Sequence, residues 1–160
     1  MSENVLDLLN EQMNFEYESA YIYKAMAAYT DRLELDGFTH WFDSQVKEEI
    51  EHGEAIKHFL QEVGYNVRYK AIAEPQYDYE SLVDVFKAAL AHEKEVSRRI
   101  YEIAELAKEE DLRVFSFIKG FIDEQVEEED TVGKIVTRLE RINGNWGGIY
   151  ILDHELGYRK

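Results

Sequence analysis

Four glutamates stand where a helical chain should carry leucines, and nothing else in this sequence limits its fold as much. Apolar residues recurring at three- and four-residue steps mark the inward face of a helix, and four such stripes run through the chain. The first reads Val5, Leu9, Met13, Glu16, Ala20, Tyr23, Ala27, and the second Phe38, Phe42, Val46, Glu49, His52, Ile56, Leu60, Val63. The third reads Leu82, Phe86, Ala89, Glu93, Val96, Ile100, Ile103, Ala107, and the fourth Val114, Ile118, Phe121, Gln125, Glu128, Val132, Ile135, Leu139. Every polar interruption falls near the middle of its stripe.

An ionised carboxylate buried alone costs several kcal/mol, and four together also repel one another. No Lys or Arg lies on the stripes, and His52 is the only base there. The missing positive charge must come from outside the chain, and a pair of divalent cations would supply it. Two ions also suit the donor count, because Glu16, Glu49, His52, Glu93, Gln125 and Glu128 give six side chains and a carboxylate can bridge. Three-residue spacing in Glu49-x-x-His52 and Gln125-x-x-Glu128 puts both members of each pair on one helix face.

The stripes predict two helical hairpins, with helices over Glu3 to Leu35, Gly37 to Val63, Ser81 to Glu109 and Asp111 to Asn143. Residues 64–80 between the hairpins are too many for a tight turn. They carry Tyr65, Tyr69, Tyr77 and Tyr79, a density of rings that predicts packing against the bundle or a partner subunit. Beyond a glycine-rich break at Gly144 to Gly148 lies a short apolar segment, Ile149 to Leu156. A length of 160 residues suits one domain, residues 1–160, and one proline leaves the helical stretches uninterrupted.

A net charge of -16 argues against binding nucleic acid through its phosphates. The absence of cysteine excludes a disulfide framework and a thiolate metal site. No apolar run is long enough for a signal peptide or a membrane span, so a cytoplasmic location is expected.

The wording around these positions resembles the non-haem ferritins of bacteria and archaea. The resemblance is carried by LNEQMNFEYESAYIY (Leu9 to Tyr23), EEIEH (Glu48 to His52), the His92-Glu93 pair, EQVEEE (Glu124 to Glu129) and LDHEL (Leu152 to Leu156). It implies an all-α, ferritin-like four-helix bundle with a long crossover between the second and third helices and a short fifth C-terminal helix. The implied function is iron storage. Fe(II) would be oxidised by dioxygen or peroxide at a ferroxidase centre of two irons per chain, and the ferric mineral kept inside a shell of typically 24 identical subunits. Within that resemblance, Glu16, Glu49 and His52 hold one iron, and Glu49, Glu93 and Glu128 the other. Gln125-x-x-Glu128 departs from a symmetric pair of Glu-x-x-His motifs and leaves the second position to oxygen donors.

Several residues keep two readings. Gln125 is a ligand or a core amide that supports one. Tyr23 is a core ring or, by resemblance, a redox-active tyrosine beside the centre. Glu48, Glu124 and Glu127 are a solvated acidic edge or a third iron site. His40, His58, His92 and His154 read as surface residues, with His92 an alternative support beside Glu93. The acidic corner at Glu109, Glu110 and Asp111 is a candidate lining for a pore that admits iron. The main rival class is a rubrerythrin-like di-iron peroxidase, but the cysteines and second Glu-x-x-His of that family are missing here. A haem like that of bacterioferritin is not expected, because Ile50 stands where the haem-ligating methionine would.

Overall fold

The computed structural model describes residues 4–160. Five helices follow in order: α1 Val5–Arg32, α2 Asp36–Glu62, α3 Leu82–Glu110, α4 Leu112–Ile142 and α5 Trp146–Leu156. The expected start of the first helix at Glu3 lies outside the described residues. No helix among the described residues is long and apolar enough to cross a membrane.

Helix ends follow local chemistry. Asn4, Ser81, Asp111 and Asn145 each accept a backbone N–H with the side chain, capping α1, α3, α4 and α5. α1 stops at Arg32, three residues before the expected Leu35, because Glu34 turns into the left-handed region at φ 59°. Asn143 takes the same conformation at φ 50° and ends α4. Asp111 also accepts from the Arg113 guanidinium at 2.8–3.0 Å, so this member of the acidic corner serves the α3–α4 turn.

α1 pairs with α2 and α3 with α4, and the buried residues separate into two apolar clusters. One cluster joins the first half of α1, the last halves of α2 and α3 and the first half of α4, around Leu9, Ile56, Ile100 and Ile118. The other joins the opposite halves and α5, around Tyr23, Phe38, Phe42 and Phe86. That sharing of halves means α1 runs antiparallel to α2 and α3, while α2 and α3 run parallel, which only a long crossover allows. Each large side chain so buried contributes roughly 1.5–3 kcal/mol. Between the clusters lies a belt of buried polar groups, in which Gln12, Ser19, Gln45 and Ser97 accompany four of the six predicted mid-stripe residues, Glu16, Glu49, Glu93 and Gln125, while His52 and Glu128 are half-buried.

The crossover tyrosines divide. Tyr65 donates to Asp7 at 2.7 Å and Tyr79 packs edge-on against Tyr29, whereas Tyr69 and Tyr77 are exposed. Even so, the Tyr69 ring lies 6.1 Å from that of Tyr17 on α1, and the Tyr77 carbonyl accepts from Arg32 at 2.9 Å.

α2 has no cap of its own. Asp153 of α5 supplies one, its Oδ1 accepting from Phe38 N at 2.9 Å. The approach is so close that a Cβ on Gly37 would lie 1.7 Å from the Asp153 carbonyl oxygen. Gly37→Ala is therefore expected to lift α5 off the bundle, with hydrogen exchange in residues 146–156 rising sharply while that of α3 is unchanged.

Candidate metal centre

Three ligand atoms, one each from Glu16, Glu49 and His52, lie within 4.8 Å of one another at mid-bundle. Glu16 comes from α1, whereas Glu49 and His52 are successive positions on the inner face of α2. Gln12, one turn before Glu16, donates to its Oε1 at 3.1 Å, and Gln45, one turn before Glu49, does the same to its Oε1 at 3.1 Å. One oxygen of each carboxylate is thereby engaged, and the Oε2 atoms are left facing His52 Nδ1 at 3.8 and 3.6 Å.

Those separations are too long for hydrogen bonds. They suit atoms gathered round a common ion, since donors about 2.1–2.2 Å from one metal lie about 3.0–3.8 Å apart at right-angled to trigonal angles. Glu16 Oε2 is fully buried and has no hydrogen-bond partner, which in a protein interior calls for an explanation. A cation is the explanation that this donor set fits.

The electrostatics agree. Burial pushes the Glu49 carboxyl well above the usual carboxylate range, reinforced by the Glu16 charge beside it. Burial pushes Glu16 the same way, but the adjoining Glu49 carboxyl and the neighbouring His52 overcome it and hold Glu16 below its usual value. His52 is driven upward despite burial, because Glu124, Glu16 and Glu49 surround it. The metal-free chain thus holds protons where divalent cations would replace them.

On the α3–α4 side the oxygens are more dispersed. Tyr23 donates to Glu93 Oε1 at 2.5 Å, and Gln125 Nε2 donates to Glu93 Oε2 at 3.2 Å, to its carbonyl at 3.1 Å and to Ser97 Oγ at 3.1 Å. Gln125 therefore holds Glu93 with its nitrogen, and its amide oxygen is the atom left for a cation. Glu128 is only half-buried and takes a hydrogen bond from Gln45 at 2.8 Å. Burial and the Glu93 charge raise its carboxyl to about 8. Tyr23 is fully buried, and burial first, then the charge of Glu93, lifts its phenol well above its usual range.

The acidic edge is split. Glu124 Oε2 meets His52 Nε2 at 2.8 Å, Glu48 pairs with Arg159 at 3.1 Å, and Glu127 is exposed on α4. His92 is no surface residue. It lies between Phe15 and Tyr23, bonded to Ser19 Oγ at 2.7 Å, and burial lowers its imidazole to about 4.

A ferritin-like domain profile matches residues 6–142. The bacterial non-heme ferritin of Staphylococcus aureus is 39% identical over 99% of this chain and 96% of its own length, and that of Staphylococcus haemolyticus gives the same figures. The chain belongs to the ferritin family. An open pore ferritin of the archaeon Archaeoglobus fulgidus superposes with a TM-score of 0.96 at 36% identity, over 100% of this chain and 99% of that one. A closed form of the Archaeoglobus fulgidus ferritin, engineered by site-directed mutagenesis, is as similar, with a TM-score of 0.96. The crossover and the fifth helix of this ferritin chain are those expected of a prokaryotic non-haem ferritin.

Four residues beside the centre escape the stripe reading: Gln12, Gln45, Ser97 and Arg159. For two of them the signal was present, because Gln-x-x-x-Glu occurs at both Gln12–Glu16 and Gln45–Glu49. Arg159 left no such trace. It reaches the site from the chain's far end, so the base missing from the stripes is partly supplied by the tail.

Proposed function

We propose that this chain stores iron, taking up Fe(II) as substrate at the mid-bundle centre, oxidising it there and passing the ferric product into a hollow shell of 24 copies in the cytoplasm. The observation that carries the reading is the partnerless Glu16 Oε2, set beside Glu49 Oε2 and His52 Nδ1 in a ferritin fold. Glu16, Glu49 and His52 bind the first ion. Glu49, Glu93 and Glu128 bind the second, with Gln125 holding Glu93.

Each Fe(II) gives one electron. With dioxygen as a two-electron acceptor, two ions and two protons yield two Fe(III) and hydrogen peroxide; with peroxide as acceptor, they yield two Fe(III) and water. The oxygen-rich donor set favours the harder ferric ion. Glu48, Glu124 and Glu127 form a third position on the way out, a reading supported by the contact of Glu124 with His52 and the closeness of Glu48 to Glu128.

Aerobic Fe(II) loading followed by size-exclusion separation tests this directly, with mass and iron measured on one peak. A large assembly holding far more iron than its ligands can bind is expected. A small oligomer with two irons per chain would instead mean a di-iron redox enzyme. Tyr23→Phe is expected to keep both ions while losing about 1 kcal/mol of stability through the Glu93 hydrogen bond. That corresponds to a melting temperature lowered by roughly 2–4 °C.

A further inference from the structure

Glu49 and Glu128 come from different helices, yet one amide holds both. Gln45 is fully buried, and its Nε2 donates to Glu49 Oε1 at 3.1 Å and to Glu128 Oε2 at 2.8 Å. Its Oε1 accepts from Arg159 Nη2 at 2.9 Å. A guanidinium carries only donors, so it can face nothing but the oxygen of that amide. The orientation of Gln45 is therefore decided from outside. Reversed, the amide would set its oxygen against two carboxylates and leave Arg159 facing an NH2 group.

Arg159 is itself well held. Its Nη1 donates to the Trp41 carbonyl at 3.0 Å, the guanidinium lies 4.6 Å from the centre of the Trp41 ring, and Nη2 also pairs with Glu48 at 3.1 Å. Trp41, Gln45 and Glu48 follow one another along a single face of α2. The tail reaches that face because Asp153 and Gly37 dock α5 on the start of α2.

We infer that Arg159 and Gln45 are positioning residues for the oxygen-rich half of the centre. Together they hold one oxygen each of Glu49 and Glu128 at a fixed spacing before the ion arrives. The inference rests on the two-ion reading above, and it predicts unequal effects on the two ions. The His52 position shares Glu49 but keeps Glu16 in the grip of Gln12, and should weaken the less of the two. The Glu128 position should weaken more.

The test is anaerobic titration of the assembled protein with cobalt(II), followed by visible absorption and calorimetry, for the wild type, Arg159→Met, Arg159→Lys, Gln45→Leu and Gln45→Glu. Wild type is expected to take up two cobalt ions per chain. Arg159→Met and Gln45→Leu should weaken the second ion by about tenfold or more, the usual cost of losing a group that orients a ligand. The first ion should weaken by clearly less. Arg159→Lys keeps a donor for Gln45 Oε1 and should restore much of the loss, whereas Gln45→Glu, with no donor for two carboxylates, should be the most severe. Wild-type affinity for both ions in Arg159→Met and Gln45→Leu overturns the inference. So does equal weakening of both ions accompanied by a lowered melting temperature, which would mean mere structural support. A wild type that binds fewer than two ions overturns the two-ion centre and this inference with it.

Discussion

Replacing Glu49 with alanine should slow the rapid oxidation of Fe(II) by a factor of about a hundred or more, the upper end of what even a ligand-supporting group costs. The helices should stay assembled. Glu49 is the carboxylate best placed to serve both ions: its Oε2 faces His52 at 3.6 Å, and its Oε1 shares Gln45 with Glu128. In the metal-free chain burial, and then the Glu16 charge beside it, disfavour its ionised form, so its removal takes away a costly buried acid and leaves the metal-free melting temperature within a few degrees of wild type. Added zinc(II) should no longer protect the variant. Losing a hundredfold in affinity removes about 2.7 kcal/mol of ligand stabilisation, or roughly 5–10 °C for a chain of this size. Stopped-flow oxidation and paired melting curves would check both parts, and an unchanged initial rate would remove Glu49 from the centre.

The second large effect is on pH. Glu128 titrates near 8 in the fold against an ordinary value of 4.5, and Glu49 is also raised. A divalent ion must displace these protons, so its apparent affinity should rise by at least tenfold per pH unit from about pH 6 to about pH 8, with the contribution of Glu128 levelling off once it is ionised. The metal-free fold should behave oppositely. Because the folded chain keeps protons that the unfolded chain has released, stability supplied by these carboxyls is present at low pH and falls as pH rises from 4.5 through about 8. The gap between metal-bound and metal-free melting temperatures should therefore widen with pH. Zinc(II) calorimetry in buffers of different ionisation heat would count the protons released, and a value near zero at pH 7 would contradict the assignment of Glu49 and Glu128 as ligands.

Much of the fold was legible because helix periodicity and burial are the same fact seen twice. The residues on the α1 and α3 stripes are buried throughout, and the mid-stripe carboxylates Glu16, Glu49 and Glu93 are among the most buried polar groups in the chain. The ends of α2, α3 and α4 fall within a residue of those expected from the stripes. The end of α1 escaped, since Glu34 is not a residue type that announces a positive φ. His92 kept two readings, surface or support beside Glu93, because a histidine next to a buried glutamate is one step round the helix, and only its neighbours on α1 show that this step also points inward.

The sequence by itself determined a four-helix arrangement, a polar belt in its middle and the carboxylates Glu16, Glu49 and Glu93 buried within that belt. Those follow from spacing along single helices, where geometry is local. Only the tertiary structure decided which oxygen of Glu16 and of Glu49 faces His52, that Gln12 and Gln45 hold the others, and that Arg159 closes over α2 from the tail. Hydrogen bonds between residues 114 positions apart leave no periodic mark, because they are set by how helices pack rather than by how one helix turns.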